Sequence, residues 1–168
     1  SDVSLDGIRV SMNIAETMEG AEIVVLALPS AIVLDVVDDI LPHLRNEQVL
    51  LDLAKGLAPG DQMISSLISS KLRSAGLSCG LCVMMGPTIA PELARGVYTT
   101  ALVTSNEVSL AEQVGSDLST STLKLSVATD MLGSEYWGAF KNVIALACGV
   151  VDGLKKDGRG GDNLKAAV

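Results

Sequence analysis

Residues 23–28 read IVVLAL and run into Pro29, a continuous aliphatic and β-branched stretch of the kind a strand buried on both faces requires. Proline cannot donate into a sheet, so the strand stops there. Ser30 is then placed to cap a helix over residues 31–41, in which Ile32, Val33, Val36, Val37 and Ile40 recur at helical spacing. The unit repeats downstream: VLLDLA at 49–54 is a second strand closed by Lys55 and Gly56, followed by a helix near 60–73, and LCVMM at 81–85 is a third, closed by Gly86 and Pro87. A short helical stretch up to Arg95 leads to residues 99–104, a helix near 107–118 and residues 123–127, the two strand-like runs being expected at sheet edges. Short apolar runs alternating with helical segments predict an α/β protein with a largely parallel sheet.

The pattern changes at Asp130. Residues 130–153 read as one long helix with Asp130 as N-cap and Gly153 near the C-terminal end. Val143, Ile144, Leu146, Ala147, Val150 and Val151 form no single stripe, so this helix is apolar around most of its circumference and is expected to be buried. A restart at Asp162 and Asn163 is followed by only residues 164–168, too few for an isolated helix. Some twenty weakly patterned residues precede the first strand. Both ends read as cut from something larger, the alternative being a small protein with frayed termini.

Composition narrows the function classes. The 168 residues are 48% hydrophobic and 19% charged, enough for a sizeable core. Twelve basic against twenty acidic residues give a net charge of -8, and the chain has four aromatic side chains, so neither phosphate gripping nor base stacking is favoured and no nucleic-acid partner is expected. No uninterrupted apolar run reaches the roughly 18 to 20 residues of a bilayer span, and the first seven residues lack the features of a secretory signal. The expected location is cytoplasmic. Three cysteines are too sparse for a disulfide framework. Cys79 and Cys82 form a CxxC, but it leads into a strand-like run rather than a helix and lacks a second Cys/His pair, so reduced, packed cysteines and no metal site are expected.

Candidate chemistry gathers where open α/β sheets bind ligands, at the carboxyl ends of strands. Lys55 and Gly56 follow one strand, and Gly86, Pro87 and Thr88 follow the next. Thr88 is placed to cap a helix beginning at Ile89, whose free N–H groups would favour an anionic oxygen. Taken alone, each feature is more often a plain strand-to-helix turn than a site. Lys141 is more informative, standing among Gly138, Asn142, Ala145, Cys148, Gly149 and Asp152 on the small, polar side of the long helix. Such a lysine either pairs with an acid, Glu135 or Asp152, or holds its amine in a dry pocket where it can exchange protons with a substrate. Asn142 either orients a ligand hydroxyl or cross-links to a neighbouring helix. His43 reads as a solvated loop residue, and Ser65, Ser66, Ser69 and Ser70 as helix surface. His43 has neither a second histidine nor a suitable acid near it, so no Ser/His/Asp triad or histidine metal site is expected.

Read in order, AEIVVLALPS (21–30), LAKGL (53–57), MGPTIAPELARG (85–96) and EYWGAFKNV (135–143), with VDGL and GDNLKAAV behind them, resemble NAD(P)-dependent glycerol-3-phosphate dehydrogenase. The four blocks keep the family's order and compatible spacings from about Gly7 to Val168. The resemblance implies a partial Rossmann-type dinucleotide-binding domain over residues 1–129 and the start of an all-α substrate domain over 130–168. It implies a central fragment that begins after the first βαβ units, lacks their GxGxxG and stops before most of the helical domain, with little turnover of its own.

The same resemblance implies an oxidoreductase interconverting dihydroxyacetone phosphate and sn-glycerol 3-phosphate with NAD or NADP, and a homodimer when complete. Lys141 would be the general acid/base at the C2 oxygen, Lys55 would touch substrate and cofactor, Gly86, Thr88 and Asn142 would line the substrate site, and Pro29 and Ala90 would face the dinucleotide. Tyr136, Trp137 and Phe140 depart from the smaller or aliphatic residues expected before Lys141, and KKDGRG (155–160) reads as a lengthened surface loop. Two alternatives stand beside this reading: another two-domain hydroxyacid dehydrogenase, and a non-catalytic Rossmann-like binding domain.

Overall fold

Val49–Asp52 (β2) is buried at every position because it lies inside the sheet with helices on both faces. The structure, a computed structural model, describes residues 6–160 and residue 162. Its element order is α1 (Ile14–Met18), β1 (Ile23–Leu26), α2 (Val33–Ile40), a 3-10 turn (Leu41–His43), β2, α3 (Ile64–Ser74), β3 (Gly80–Met85), α4 (Ala90–Ala94), β4 (Thr99–Thr104), α5 (Val108–Leu118), β5 (Leu123–Ala128) and α6 (Met131–Lys156). The restart expected over residues 162–168 lies outside the described residues, Asp162 excepted.

The five strands lie in the order β1-β2-β3-β4-β5. The first three are parallel, as the βα repeats predict; β4 then runs antiparallel to β3, and β5 pairs parallel to β4. The α/β expectation therefore holds with a mixed sheet. The expected edge position of residues 99–104 is corrected, since β4 sits between β3 and β5.

Alternation along β2 assigns its side chains to two layers. Leu50 joins Leu26, Val33, Val37, Ile64 and Ile68 under α2 and α3, whereas Leu51 joins Cys82, Met84, Val103, Ala111 and Val114 under α5. In register with them, Asp52 stands opposite Val83, on the same sheet face as Leu50. That face continues through Val83 and Met85 to Met131, where α6 begins. Ser30 does not cap α2: Ile32 holds that position without a side-chain bond, and Ser30 packs instead against the Lys55–Gly56 turn, where a Cβ on Gly56 would meet its Oγ at 2.8 Å.

Asp130 does cap α6, its Oδ1 accepting from the Gly133 N–H at 2.8 Å. The helix continues past Gly153 to Lys156. Its expected burial is corrected: the first turns bury Met131, Ser134, Glu135 and Gly138 against the sheet, but Trp137 is 68% and Leu146 72% exposed. An apolar circumference records what a helix is able to bury, and among the described residues only one side is covered. By length and composition α6 is also able to cross a membrane, which an unbroken apolar run did not disclose. All three cysteines are free, and burial pushes the Cys82 thiol up to about 11, the opposite of a reactive CxxC.

Candidate active site

The carboxyl end of β3, with β4 beside it, meets the second and third turns of α6. Met85 ends β3, and Gly138 of α6 sits directly over it: a Cβ there would meet the Met85 sulfur at 2.5 Å. The missing side chain lets the helix approach the sheet and brings the next turn, with Lys141, to the strand tips. Gly86 has a comparable reason, because a Cβ would fall 2.9 Å from the Ala101 Cα of β4. Between these elements lies a cavity of about 410 Å³ lined by Gly86, Pro87, Ser134, Trp137, Gly138 and Lys141, among others.

Lys141 is half-buried on the rim of this cavity, and no carboxylate among the described residues forms an ion pair with it. Glu135, one of the two acids considered for it, is occupied elsewhere: its Oε1 accepts from the Ser65 N–H at 3.1 Å and its Oε2 takes a short bond from the Ser65 hydroxyl. Ser65 is correspondingly buried, which corrects its reading as helix surface. The neighbour of Lys141 is a second amine. Lys55 stands beside Lys141, close enough for the two amines to interact, and its Nζ donates to the Thr88 hydroxyl at 3.1 Å.

Burial lowers the pKa of Lys55, and the nearby Lys141 amine lowers it further. Two amines side by side near the cavity are a donor set suited to an oxygen that gains negative charge.

The other candidate residues divide. Thr88 is at the site through Lys55 rather than as a helix cap, since Ile89 occupies the N-cap of α4 and that helix has five residues. Gly86 lines the cavity. Pro29 and Ala90 are exposed, beyond the end of β1 and at the start of α4 respectively. Asn142 is about 100° further round α6 than Lys141 and lines a different groove with Ala145, Leu146, Gly149 and Val150. His43 is exposed at the end of the 3-10 turn, as expected.

Asp52 escaped the sequence reading. It is fully buried, and the one signal for it was an acid inside the apolar run VLLDLA. Its Oδ1 accepts from the Ala54 N–H at 2.9 Å, while its Oδ2 has no partner among the described residues. Burial, and secondarily the charge of Glu135, outweigh that bond and push its pKa up to about 6.

The chain matches two family descriptions: NAD-dependent glycerol-3-phosphate dehydrogenase N-terminus over residues 3–111 and the C-terminus of the same family over residues 130–168. It is 35% identical over 162 residues to a glycerol-3-phosphate dehydrogenase [NAD(P)+] of Brachyspira hyodysenteriae, covering 96% of this chain and 46% of that protein. The corresponding Fusobacterium nucleatum protein is 31% identical over 164 residues, with 97% and 47% covered. The crystal structure of glycerol-3-phosphate dehydrogenase from Coxiella burnetii superposes with a TM-score of 0.75 at 26% identity, covering 92% of this chain and 45% of that one. The Saccharomyces cerevisiae structure, at 23% identity and a TM-score of 0.76, shares the fold, with 92% and 45% covered.

The extent of these matches corrects the expectation of a central fragment. They run over 91–99% of the chain and take in both the N-terminal and the C-terminal family descriptions. The chain spans about half the length of the curated relatives it matches. By sequence over both parts, and by fold, the chain belongs to the NAD-dependent glycerol-3-phosphate dehydrogenase family.

Proposed function

We propose that this chain carries the proton-transfer site of an oxidoreductase interconverting dihydroxyacetone phosphate and sn-glycerol 3-phosphate with NAD(H) or NADP(H). The observation that carries the reading is the Lys55–Lys141 pair, with Lys141 on a cavity rim at the strand tips of a chain from this family. In this reading Lys141 donates a proton to the C2 oxygen as negative charge develops there, and in the oxidative direction takes it back from the C2 hydroxyl. Lys55, whose Nζ donates to the Thr88 hydroxyl, holds its amine beside that of Lys141. Both amines favour an anionic substrate in a chain whose net charge of -8 would otherwise repel one.

The donor set and the strand-tip residues fit the nicotinamide end of a dinucleotide. Pro29, Lys55 and Ala90 would hold it, with Gly86 and Thr88 on the substrate side and Asn142 able to join only from the adjoining groove. The cofactor supplies or removes the hydride at C2 when bound. A division into a dinucleotide domain over residues 1–129 and a substrate domain from residue 130 is part of this reading. It is supported by the end of the sheet at Ala128, the Asp130 cap and the break between the two family matches. A cytoplasmic location and a homodimer of the complete protein are part of this reading, supported by membership of the family alone.

The test is substrate discrimination. Loss of nicotinamide absorbance on adding dihydroxyacetone phosphate, and little loss with phosphate-free dihydroxyacetone, is the expected result. Neither binding nor turnover of the phosphorylated ketone, or equal turnover of the two, would contradict it.

A further inference from the structure

The first two turns of α6 carry two adjacent polar residues, Ser134 and Glu135, to which the lysine pair assigns no task. Both are buried, 6% and 2% exposed, and so are their partners, Thr104 and Ser65. Ser134 donates its proton to the Met131 carbonyl at 2.8 Å, which leaves its oxygen to accept from the Thr104 hydroxyl at 2.9 Å. The Val83 carbonyl, at 3.4 Å, is the more distant of the two acceptors open to that hydroxyl. Glu135 turns to another element: its Oε1 accepts from the Ser65 N–H at 3.1 Å and its Oε2 from the Ser65 hydroxyl. Ser65 is the second residue of α3, whose N-cap, Met63, offers no side-chain bond and whose first turn contains no acid. A carboxylate from α6 therefore caps the start of α3, where free N–H groups and the helix dipole favour negative charge.

Consecutive residues of a helix point about 100° apart, so the two contacts hold α6 from two directions. One falls on the last residue of β4 and the other on the first turn of α3. Apolar packing would not do this. Tyr136, Phe140, Val143, Leu146 and Val150 are exposed, and non-directional contact gives a helix that is apolar on most sides no preferred rotation on the sheet. Gly138 sets how closely α6 approaches Met85, but a residue without a side chain does not stop the helix rolling. Hydrogen bonds are directional and do. Lys141 lies about 9 Å along the axis beyond Glu135. With a helix radius, side chains included, of about 5–6 Å, a roll of about 10° carries a side-chain tip through about 1 Å. A displacement of that size at a reacting group is enough to cost about 10²-fold in rate.

We infer that the Ser134–Thr104 and Glu135–Ser65 contacts are a rotational lock, four positioning residues that fix the angle of α6 about its own axis and so aim the Lys141 amine at the strand tips. The inference rests on the reading of Lys141 as the reacting amine. None of the four is a catalytic residue, since each acts through the helix that carries that lysine. Sequence distance hides the unit, because residues 65, 104 and 134–135 come from a helix, a strand and the helix that follows the last strand.

The test removes one bond from each arm without altering an atom of α6. Trp137, the chain's single tryptophan, stands between the lock and Lys141 and lines the cavity, so its one indole N–H resonance reports the helix angle. The double variant Ser65→Ala, Thr104→Val is expected to shift that resonance. Its kcat for reduction of dihydroxyacetone phosphate should fall about 10- to 10²-fold with KM little changed. Ser65→Thr, Thr104→Ser keeps both hydroxyls and should return both readouts most of the way to native. Ser65→Ala alone moves them in the same direction by less, and serves where the double variant does not fold. A folded lock variant in which either the resonance or kcat stays native overturns the inference, as does a loss of kcat that the hydroxyl-keeping variant fails to restore. Failure of the underlying reading is separately visible: the native chain would then neither bind nor reduce dihydroxyacetone phosphate, while the indole resonance would still move in the lock variants.

Discussion

Replacing Lys141 with alanine is expected to lower reduction of dihydroxyacetone phosphate by about 10²- to 10⁴-fold, the range typical for loss of a positioned proton donor, while dinucleotide binding stays essentially intact. The amine stands on the cavity rim and closes no ion pair among the described residues, so its removal takes away chemistry rather than a structural tie. Lys141→Arg separates charge from proton transfer, because a guanidinium keeps the positive charge but does not give up its proton near neutrality. Arginine is therefore expected to restore substrate binding but not turnover. Steady-state kinetics together with a dinucleotide titration decide the matter. Parallel losses of folding, dinucleotide affinity and rate would assign Lys141 a structural role instead.

Asp52→Asn is expected to stabilise the protein at pH 8. In the folded chain Asp52 holds its proton up to about pH 6, against 3.8 for the free side chain. A folded-state pKa above the unfolded one means that the stabilisation from the bound proton is fully present below about pH 4 and is lost as the pH rises through about 6. A difference of about two pH units corresponds to about 3 kcal/mol as the upper scale of the penalty carried by the ionised, buried group at pH 8. Asparagine keeps the shape and cannot ionise. The variant should gain about 1–3 kcal/mol at pH 8 and little at pH 4, read as the difference between urea unfolding curves of the two proteins at each pH. A variant less stable than the native chain at pH 8, or a difference that does not change with pH, would show that Asp52 is not carrying that penalty.

These two residues mark where the sequence was legible and where it was not. The strands were readable because IVVLAL and LCVMM are continuous apolar runs and VLLDLA is one interrupted by a single acid, closed by Pro29, Gly86 and Gly56 respectively, and local composition is enough to show such runs. The reversal of β4 was not, because strand direction is decided by how the chain crosses the sheet rather than by the residues of TTALVT. Lys141 stood out as a cation on an apolar helix. Its companion Lys55 lies 86 positions earlier, and only the close packing of Gly138 on Met85 brings the two together. Ser65 was misread because helical spacing shows which side of a helix is apolar, not which later element comes to cover a serine. The reading of α6 as buried failed for the complementary reason: amphipathicity records capacity for contact, whereas burial depends on what is there to make it.

The central claim is that the paired amines meet the reacting oxygen. A crystal structure of the chain with dihydroxyacetone phosphate and the dinucleotide tests it most directly. The ketone oxygen should lie about 2.6–3.2 Å from the Lys141 Nζ, with the Lys55 amine still beside it. A well-ordered ketone whose C2 oxygen is turned away from both lysines, or is held by other residues, would contradict the account.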